Sequence, residues 1–349
     1  MTGGAAFLDE IRSQPAALRA LVDGGEAVRS LGRRLAARPP RLVRLVAHGS
    51  SDNAASYGVY ALGMLAGLTA MRDSISLTVY YRARVPFDGS VVLALSQSGR
   101  TPDVVAYVEE ARARGALTVA ITNDEGSDLA AAAELVLPLL AGPERAVAAT
   151  KTFVNSLATL ALLAAEAAGR GREVAEAVRA AAAGVEEALP GLEALASELA
   201  LPFASVARMF VAARGVEYAT AREVALKLTE TCRVAAEPAT ATELAHGPVA
   251  ALDRLFPVWL IASDDETLPA VKATASRVLA TGAVLVASGC AAARIEGASH
   301  VLPTPAPPLP LLSPLLSVVP GQLTAWALAR AKGLDPDRPE HLSKVTIAP

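Results

Sequence analysis

Short runs of Leu, Val, Ile and Ala alternate along the chain with longer Ala-rich stretches that carry charges at helical spacing. Apolar runs bounded by Gly, Pro or polar residues read as strands buried on both faces, the pattern of parallel sheets covered by helices. In the first half the strands fall at Leu42–Ala47, Leu77–Tyr81, Val91–Leu95, Leu117–Thr122 and Leu135–Leu139, with helices at Ala54–Ala66 and Pro102–Ala113. A long Ala/Glu-rich helical stretch runs from Thr152 to about Leu199, and the cycle then restarts with strands at Met209–Ala213, Pro257–Ala262, Val284–Ala287 and Val301–Leu302. The alternation predicts an α/β fold of two similar units. A weak internal repeat agrees: His48-Gly49-Ser50-Ser51 and Arg214-Gly215-Val216-Glu217 each follow the first strand of a half, and Glu134-Leu135-Val136-Leu137-Pro138 has a counterpart in His300-Val301-Leu302-Pro303.

Open parallel sheets bind ligands at the carboxyl ends of their strands, so the loops there carry the chemistry. The first is Ser96-Gln97-Ser98-Gly99-Arg100-Thr101-Pro102-Asp103, where a buried-type strand runs into hydroxyls, a glycine and a helix start. Hydroxyls together with the free N–H groups and positive dipole end of a helix suit a phosphate monoester. A plainer reading is that Thr101 caps the helix and Pro102 occupies its first turn. Gly49-Ser50-Ser51-Asp52 repeats the same chemistry and moves the balance towards phosphate. Neither GxxxxGK[ST] nor GxGxxG occurs, which disfavours nucleotides.

Composition narrows the classes further. The 349 residues, 52% hydrophobic and 19% charged, allow two domains or one large one with a sizeable core. The formal net charge of -3 gives no basic footprint for nucleic acid. Cys232 and Cys290 are isolated and form no disulfide framework, which fits a reducing, cytoplasmic setting. The N-terminus lacks a basic start, and the apolar stretch Val301–Ala329 is interrupted by Pro303, Pro305, Pro307, Pro308, Pro310, Pro314 and Pro320, so neither a secretory signal nor a membrane segment is expected.

Of the 32 Lys plus Arg, only Lys151, Lys227, Lys272, Lys332 and Lys344 are lysine. Glu223, Lys227 and Glu230, spaced by four and three, share one face of a helix. Such a face is commonly an exposed salt-bridge ladder, but a lysine retained here by a chain that prefers Arg also fits a site. His246 stands in Thr242-Glu243-Leu244-Ala245-His246-Gly247-Pro248, where it is either a proton carrier or simply exposed. His48, His300 and His341 form no metal-type pair, so no metal or other cofactor is expected. Lys344 lies in the terminal Glu340-His341-Leu342-Ser343-Lys344-Val345-Thr346-Ile347-Ala348-Pro349, unusually apolar for a solubilising tail.

These segments, with Glu10-Ile11-Arg12-Ser13-Gln14-Pro15, Ala141-Gly142-Pro143-Glu144 and Val147-Ala148-Ala149-Thr150-Lys151, occur in the order seen in the sugar isomerase (SIS) family. The chain resembles above all the isomerase half of glutamine–fructose-6-phosphate aminotransferase. The resemblance implies two flavodoxin-like SIS subdomains, each a five-stranded parallel sheet flanked by helices, over 36–175 and 203–330. A helical segment over 1–35, a helical linker over 176–202 and an active-site tail over 331–349 complete the organisation it implies. It assigns the sugar phosphate to Ser50, Ser51, Ser96, Gln97, Ser98 and Thr101, with Val147 and Ser343 lining the sugar. It makes Glu230 the base that moves a proton between C1 and C2, with Lys227 polarising the site beside it; His246, from across a homodimer with a shared active site, assists ring opening; and Lys344 contacts the open-chain carbonyl or forms a Schiff base with it.

Ala149 stands where the family has Ser, and Arg100 where it has an acidic residue. Lys151, Lys227 and Lys344 fall in family motifs, while Lys272 and Lys332 read as ordinary surface positions. The chain enters the isomerase region almost at its start, so no glutaminase domain is expected, which resembles the SIS-type glucosamine-6-phosphate deaminases. A deaminase giving fructose 6-phosphate and ammonia is the first expectation. A fructosamine-phosphate deglycase and a non-catalytic sugar-phosphate sensor are the alternatives.

Overall fold

In the computed structural model, which describes residues 3–344, the buried apolar runs become parallel strands and the amphipathic stretches become the helices between them. The chain opens with α1 (Ala5–Arg12), α2 (Gln14–Gly24) and α3 (Glu26–Ala37). Then come β1 (Leu42–Val46), α4 (Gly49–Ala66), β2 (Ala70–Arg72), α5 (Ile75–Val79), β3 (Ser90–Leu95), α6 (Pro102–Ala113), β4 (Leu117–Thr122), α7 (Asp128–Ala132) and β5 (Leu135–Pro138). Helices α8 (Lys151–Ala167) and α9 (Gly171–Phe203) lead to β6 (Arg208–Ala213), α10 (Tyr218–Cys232), β7 (Ala235–Thr240), α11 (Ala241–His246) and β8 (Val258–Ile261). The series ends with α12 (Leu268–Ala280), β9 (Leu285–Gly289), β10 (His300–Pro303) and α13 (Pro314–Ala331).

Two compact units result. The first comprises Ala16–Glu144, Lys151–Arg179 and the tail from Ser343; the second comprises the residues up to Pro15, Arg145–Thr150 and Ala180–Leu342. The first holds a parallel sheet in the order β2-β1-β3-β4-β5, with Val43 opposite Val91 across β1 and β3. Strands β1, β3 and β4 are nearly continuous buried runs, and α3 and α4 pack on α8. The second holds β7-β6-β8-β9-β10, also parallel, with α10 packed on α13. In each sheet the first strand is followed in sequence by its neighbour on one side and then by its neighbour on the other. That reversal opens a crevice at the carboxyl ends of β1 and β3, and again of β6 and β8.

The α/β architecture of two units is as the sequence pattern predicts, and the two five-stranded parallel sheets are as the family resemblance implies, but several elements differ. Leu77–Tyr81 is not a strand: the Ser74 hydroxyl accepts from the Leu77 N–H and starts the single helical turn of α5. The second strand is instead β2, three residues on an edge with no buried run to announce it. Edge strand β7 escapes for the same reason, its residues being mostly exposed or half-buried. Helix α4 starts at Gly49, earlier than Ala54, and the stretch from Thr152 to Leu199 is two helices parted at Gly169, whose φ is +71°.

The prolines of Val301–Ala329 do not prevent a helix. Pro314 opens α13, where its missing N–H goes unused, and Pro320 is accommodated inside. By length and composition Pro310–Ala331 is apolar enough to cross a membrane, and 94% of its most apolar window is buried within the fold. Lys332, taken from sequence for a surface position, is half-buried at the end of that helix and donates to the Val206 carbonyl at 2.6 Å. Burial lowers its pKa from the ordinary lysine value.

Candidate active site

The crevice of the first unit carries the hydroxyls named from sequence. The Ser96 side chain follows β3 and is buried; its Oγ lies 3.1 Å from Thr101 Oγ1 and accepts the Gly99 N–H at 3.1 Å. Thr101 is the N-cap residue of α6, yet its hydroxyl makes no cap bond to the helix. The plainer reading, a hydroxyl spent on capping, therefore fails. Helix α4 likewise starts at His48 without a side-chain cap, with Ser50 and Ser51 half-exposed in its first turn. Two adjacent uncapped helix N-termini leave backbone donors for an anion. The Gln97 carbonyl accepts from Asn123 N at 3.1 Å and from the Thr122 hydroxyl, which fixes the loop while leaving the Gln97 side chain half-exposed.

Gly99 has φ +63°, and a Cβ there would come 2.0 Å from Ser127 Oγ. Gly99→Ala is expected to cost about 2 kcal/mol or more through left-handed strain and overpacking. Thermal unfolding and sugar-phosphate binding, measured together, check this; a variant with both unchanged would show that the loop is not so constrained. Arg100, the departure within the loop, is exposed and reaches Asp124 at 3.4 Å. His48 is exposed as well, with Nε2 2.7 Å from Asp103 Oδ2.

In the same unit the tail amine of Lys344 donates to Glu144 Oε2 at 2.9 Å. Glu144 has a side chain 0% exposed and also accepts from Thr152 N at 3.1 Å and Thr152 Oγ1 at 2.8 Å. The carboxylate is thus held rigidly and the lysine is held by it. Ser343 is exposed beside it. Residues 345–349, part of the tail motif, lie outside the described residues. Lys151 is buried at the start of α8.

The second unit holds the acid and its cation. On α10, Lys227 is 0% exposed, 3.4 Å from Glu223 Oε1 and 2.5 Å from Glu230 Oε2. Glu223 is equally buried, whereas the Glu230 side chain keeps 23% exposure. An exposed salt-bridge ladder is thereby ruled out. The sequence spacing brought the three together, but only the structure shows that two are interior and the third opens into a cavity of about 610 Å³. Arg233, Asp335, Arg338, Glu340 and His341 share that cavity. Cys232, two residues after Glu230, donates to the Ala325 carbonyl, and burial pushes its thiol up to about 11, which removes it as a nucleophile. His246 ends α11 exposed and does not line the Glu230 cavity. Val147 is half-buried, its N–H donating to the Asp337 carbonyl at 3.0 Å. Among the described residues no group of His, Cys, Asp and Glu is arranged to hold a metal ion.

Comparison with known proteins decides the family. The SIS domain model matches twice, over residues 40–166 and 203–330. The chain belongs to the SIS family. The glutamine–fructose-6-phosphate aminotransferase of Aeropyrum pernix is 36% identical over 358 residues, covering 98% of this chain and 57% of that protein. The chain spans little more than half the length of the curated relatives it matches. Among solved structures, the C-terminal domain of glucosamine-fructose-6-phosphate aminotransferase from Francisella tularensis superposes with a TM-score of 0.86 at 27% identity, covering 96% of this chain and 98% of that one. The glucosamine-6-phosphate deaminase of Thermotoga maritima shares the fold, with a TM-score of 0.80 at 21% identity, covering 99% of this chain and 100% of that one. The chain thus shares the two-SIS-domain fold of these proteins.

The two SIS repeats differ in what their crevices hold. After β6, Gly215 repeats the positive φ of Gly49, but Glu217 follows where the first repeat has serines. The Glu217 carboxylate is buried and accepts from Thr220 Oγ1 at 2.6 Å, Ser263 Oγ at 2.5 Å and Ser317 Oγ at 2.6 Å. The second SIS repeat therefore fills its hydroxyl-lined crevice with an anion of its own.

Glu10 and Glu144 stand in family motifs that gave them no role in advance. Glu10 is buried and accepts from the Ala146 N–H at 3.3 Å, and from the Arg145 N–H, bracing the segment that carries Val147.

Proposed function

We propose that the chain deaminates an amino-sugar phosphate, glucosamine 6-phosphate before others, giving fructose 6-phosphate and ammonia. The observation that carries this reading is the Glu230 carboxylate, partly exposed to a cavity and held by the interior ammonium of Lys227. Moving a proton between adjacent carbons needs one carboxylate near both, with a fixed cation to steady it. The phosphate is held by Ser50, Ser51, Ser96, Gln97, Ser98 and Thr101, and Val147 and Ser343 line the sugar. Glu230 takes the C2 proton of the open-chain aldose and returns it to C1, which leaves an imine at C2. Water adds to that carbon and ammonia departs. Lys344 meets the carbonyl end, and His246, supplied by a second copy in a homodimer, assists ring opening. No cofactor is needed by this chemistry, and nothing in it calls for nucleic acid or a membrane.

The named activity of the Thermotoga maritima relative and the ionic grouping at Glu230 support the deaminase reading. Incubation with glucosamine 6-phosphate, with ammonia followed by a coupled assay, tests it. Stoichiometric ammonia and fructose 6-phosphate are expected. Binding without ammonia would replace it with a sensor, and release of the amine from fructosamine phosphates alone would replace it with a deglycase.

A further inference from the structure

The amino-terminal edge of the first unit's sheet carries a basic groove of about 700 Å³, at the opposite end of the strands from the phosphate loops. Strands of five or six residues put the two about 20 Å apart. Arg34 on α3, Arg38 at its C-cap, Arg41 just before β1 and Arg112 in the last turn of α6 line it, with Glu134 as the lone acid of the lining. Arg12, Arg44, Arg72, Arg114 and Arg233 each pair with a carboxylate. Arg34, Arg38 and Arg41, by contrast, have neither an ion pair nor a side-chain hydrogen bond among the described residues. Arg112 donates only to the Ala132 carbonyl at 3.0 Å, and Glu134 accepts from the Thr118 N–H at 3.3 Å. Asp88 stands nearby, against Gly115.

The groove is also stiff. Pro39-Pro40 separates Arg38 from Arg41, the Arg41 N–H donates to the Gly89 carbonyl at 2.8 Å, and the Arg41 stem lies against Gly89, where a Cβ would come 2.8 Å from Arg41 Cδ. Gly89, at φ +70°, is thus required twice, by its conformation and by that close approach. Four guanidiniums around one groove repel one another, and on a chain of net charge -3 this concentration of unpaired charge stands out. Guanidinium forks match phosphate oxygens in pairs. We propose that this groove binds a small polyanion carrying at least two phosphate groups, at a site separate from the sugar-phosphate loops. Four cations against one lining acid exceed what a single phosphate needs.

Titration calorimetry of the full chain with inorganic pyrophosphate and with inorganic phosphate tests the site, using Arg38→Ala/Arg41→Ala and Ser98→Ala/Thr101→Val variants. Pyrophosphate should bind more tightly than phosphate, and the arginine variant should weaken it about tenfold or more, while the loop variant leaves it unchanged. Both arginines are exposed, and unchanged circular dichroism confirms that the variant is folded. Pyrophosphate affinity indifferent to the arginine pair, or absent altogether, overturns the proposal. A short single-stranded oligonucleotide that binds through the same arginines more tightly than pyrophosphate would overturn it in favour of a nucleic-acid surface.

Discussion

Glu230→Gln is expected to lower turnover of a sugar phosphate by about 10³-fold or more while leaving its binding nearly unchanged. The amide is isosteric and can still accept from Lys227, so the fold and the phosphate loops are undisturbed, but it cannot take a proton from carbon. Because the loss is confined to the transition state, kcat and kcat/KM should fall together. Steady-state kinetics with calorimetric substrate binding checks this. A variant that keeps even a tenth of the wild-type rate would remove Glu230 from the proton transfer.

The second large effect is on the fold itself. Lys227→Met takes away the interior cation between Glu223 and Glu230, and leaves the fully buried Glu223 carboxylate without it. Breaking such a buried pair from one side costs about 3–5 kcal/mol. A carboxylate buried without its cation binds a proton more readily than in the unfolded chain, so its folded pKa is raised. Stability tied to a raised pKa is present at low pH and lost as pH rises, hence the deficit of the variant should shrink on acidification. Thermal unfolding across pH reads both quantities. Adding Glu223→Gln should recover part of the stability without restoring activity, because Glu230 still lacks its neighbour. A variant as stable as wild type at neutral pH would contradict the buried-pair reading.

What could be read in advance depended on burial. Central strands such as Leu117–Thr122 are apolar on both faces and announce themselves, whereas β2 and β7 lie at sheet edges, half-exposed, with no run to detect. Leu77–Tyr81 misled because its residues suit a strand and only the Ser74 cap bond selects a helical turn. In the site, helical spacing was enough to put Glu223, Lys227 and Glu230 on one face, but it carried no information on whether that face is interior. The roles of Glu10 and Glu144 depend on partners far along the chain, at residues 145–146 and 344, which no local pattern exposes. His246 was legible as a candidate from its Gly-Pro turn, but its exposure was not.

The most direct test of Glu230 as the carbon acid's base is solvent exchange. With glucosamine 6-phosphate or fructose 6-phosphate in deuterium oxide, followed by proton NMR, wild-type protein should wash solvent deuterium into the C1 or C2 position. Glu230→Gln should not. Absence of exchange with either sugar phosphate, or exchange undiminished in the variant, would contradict the account.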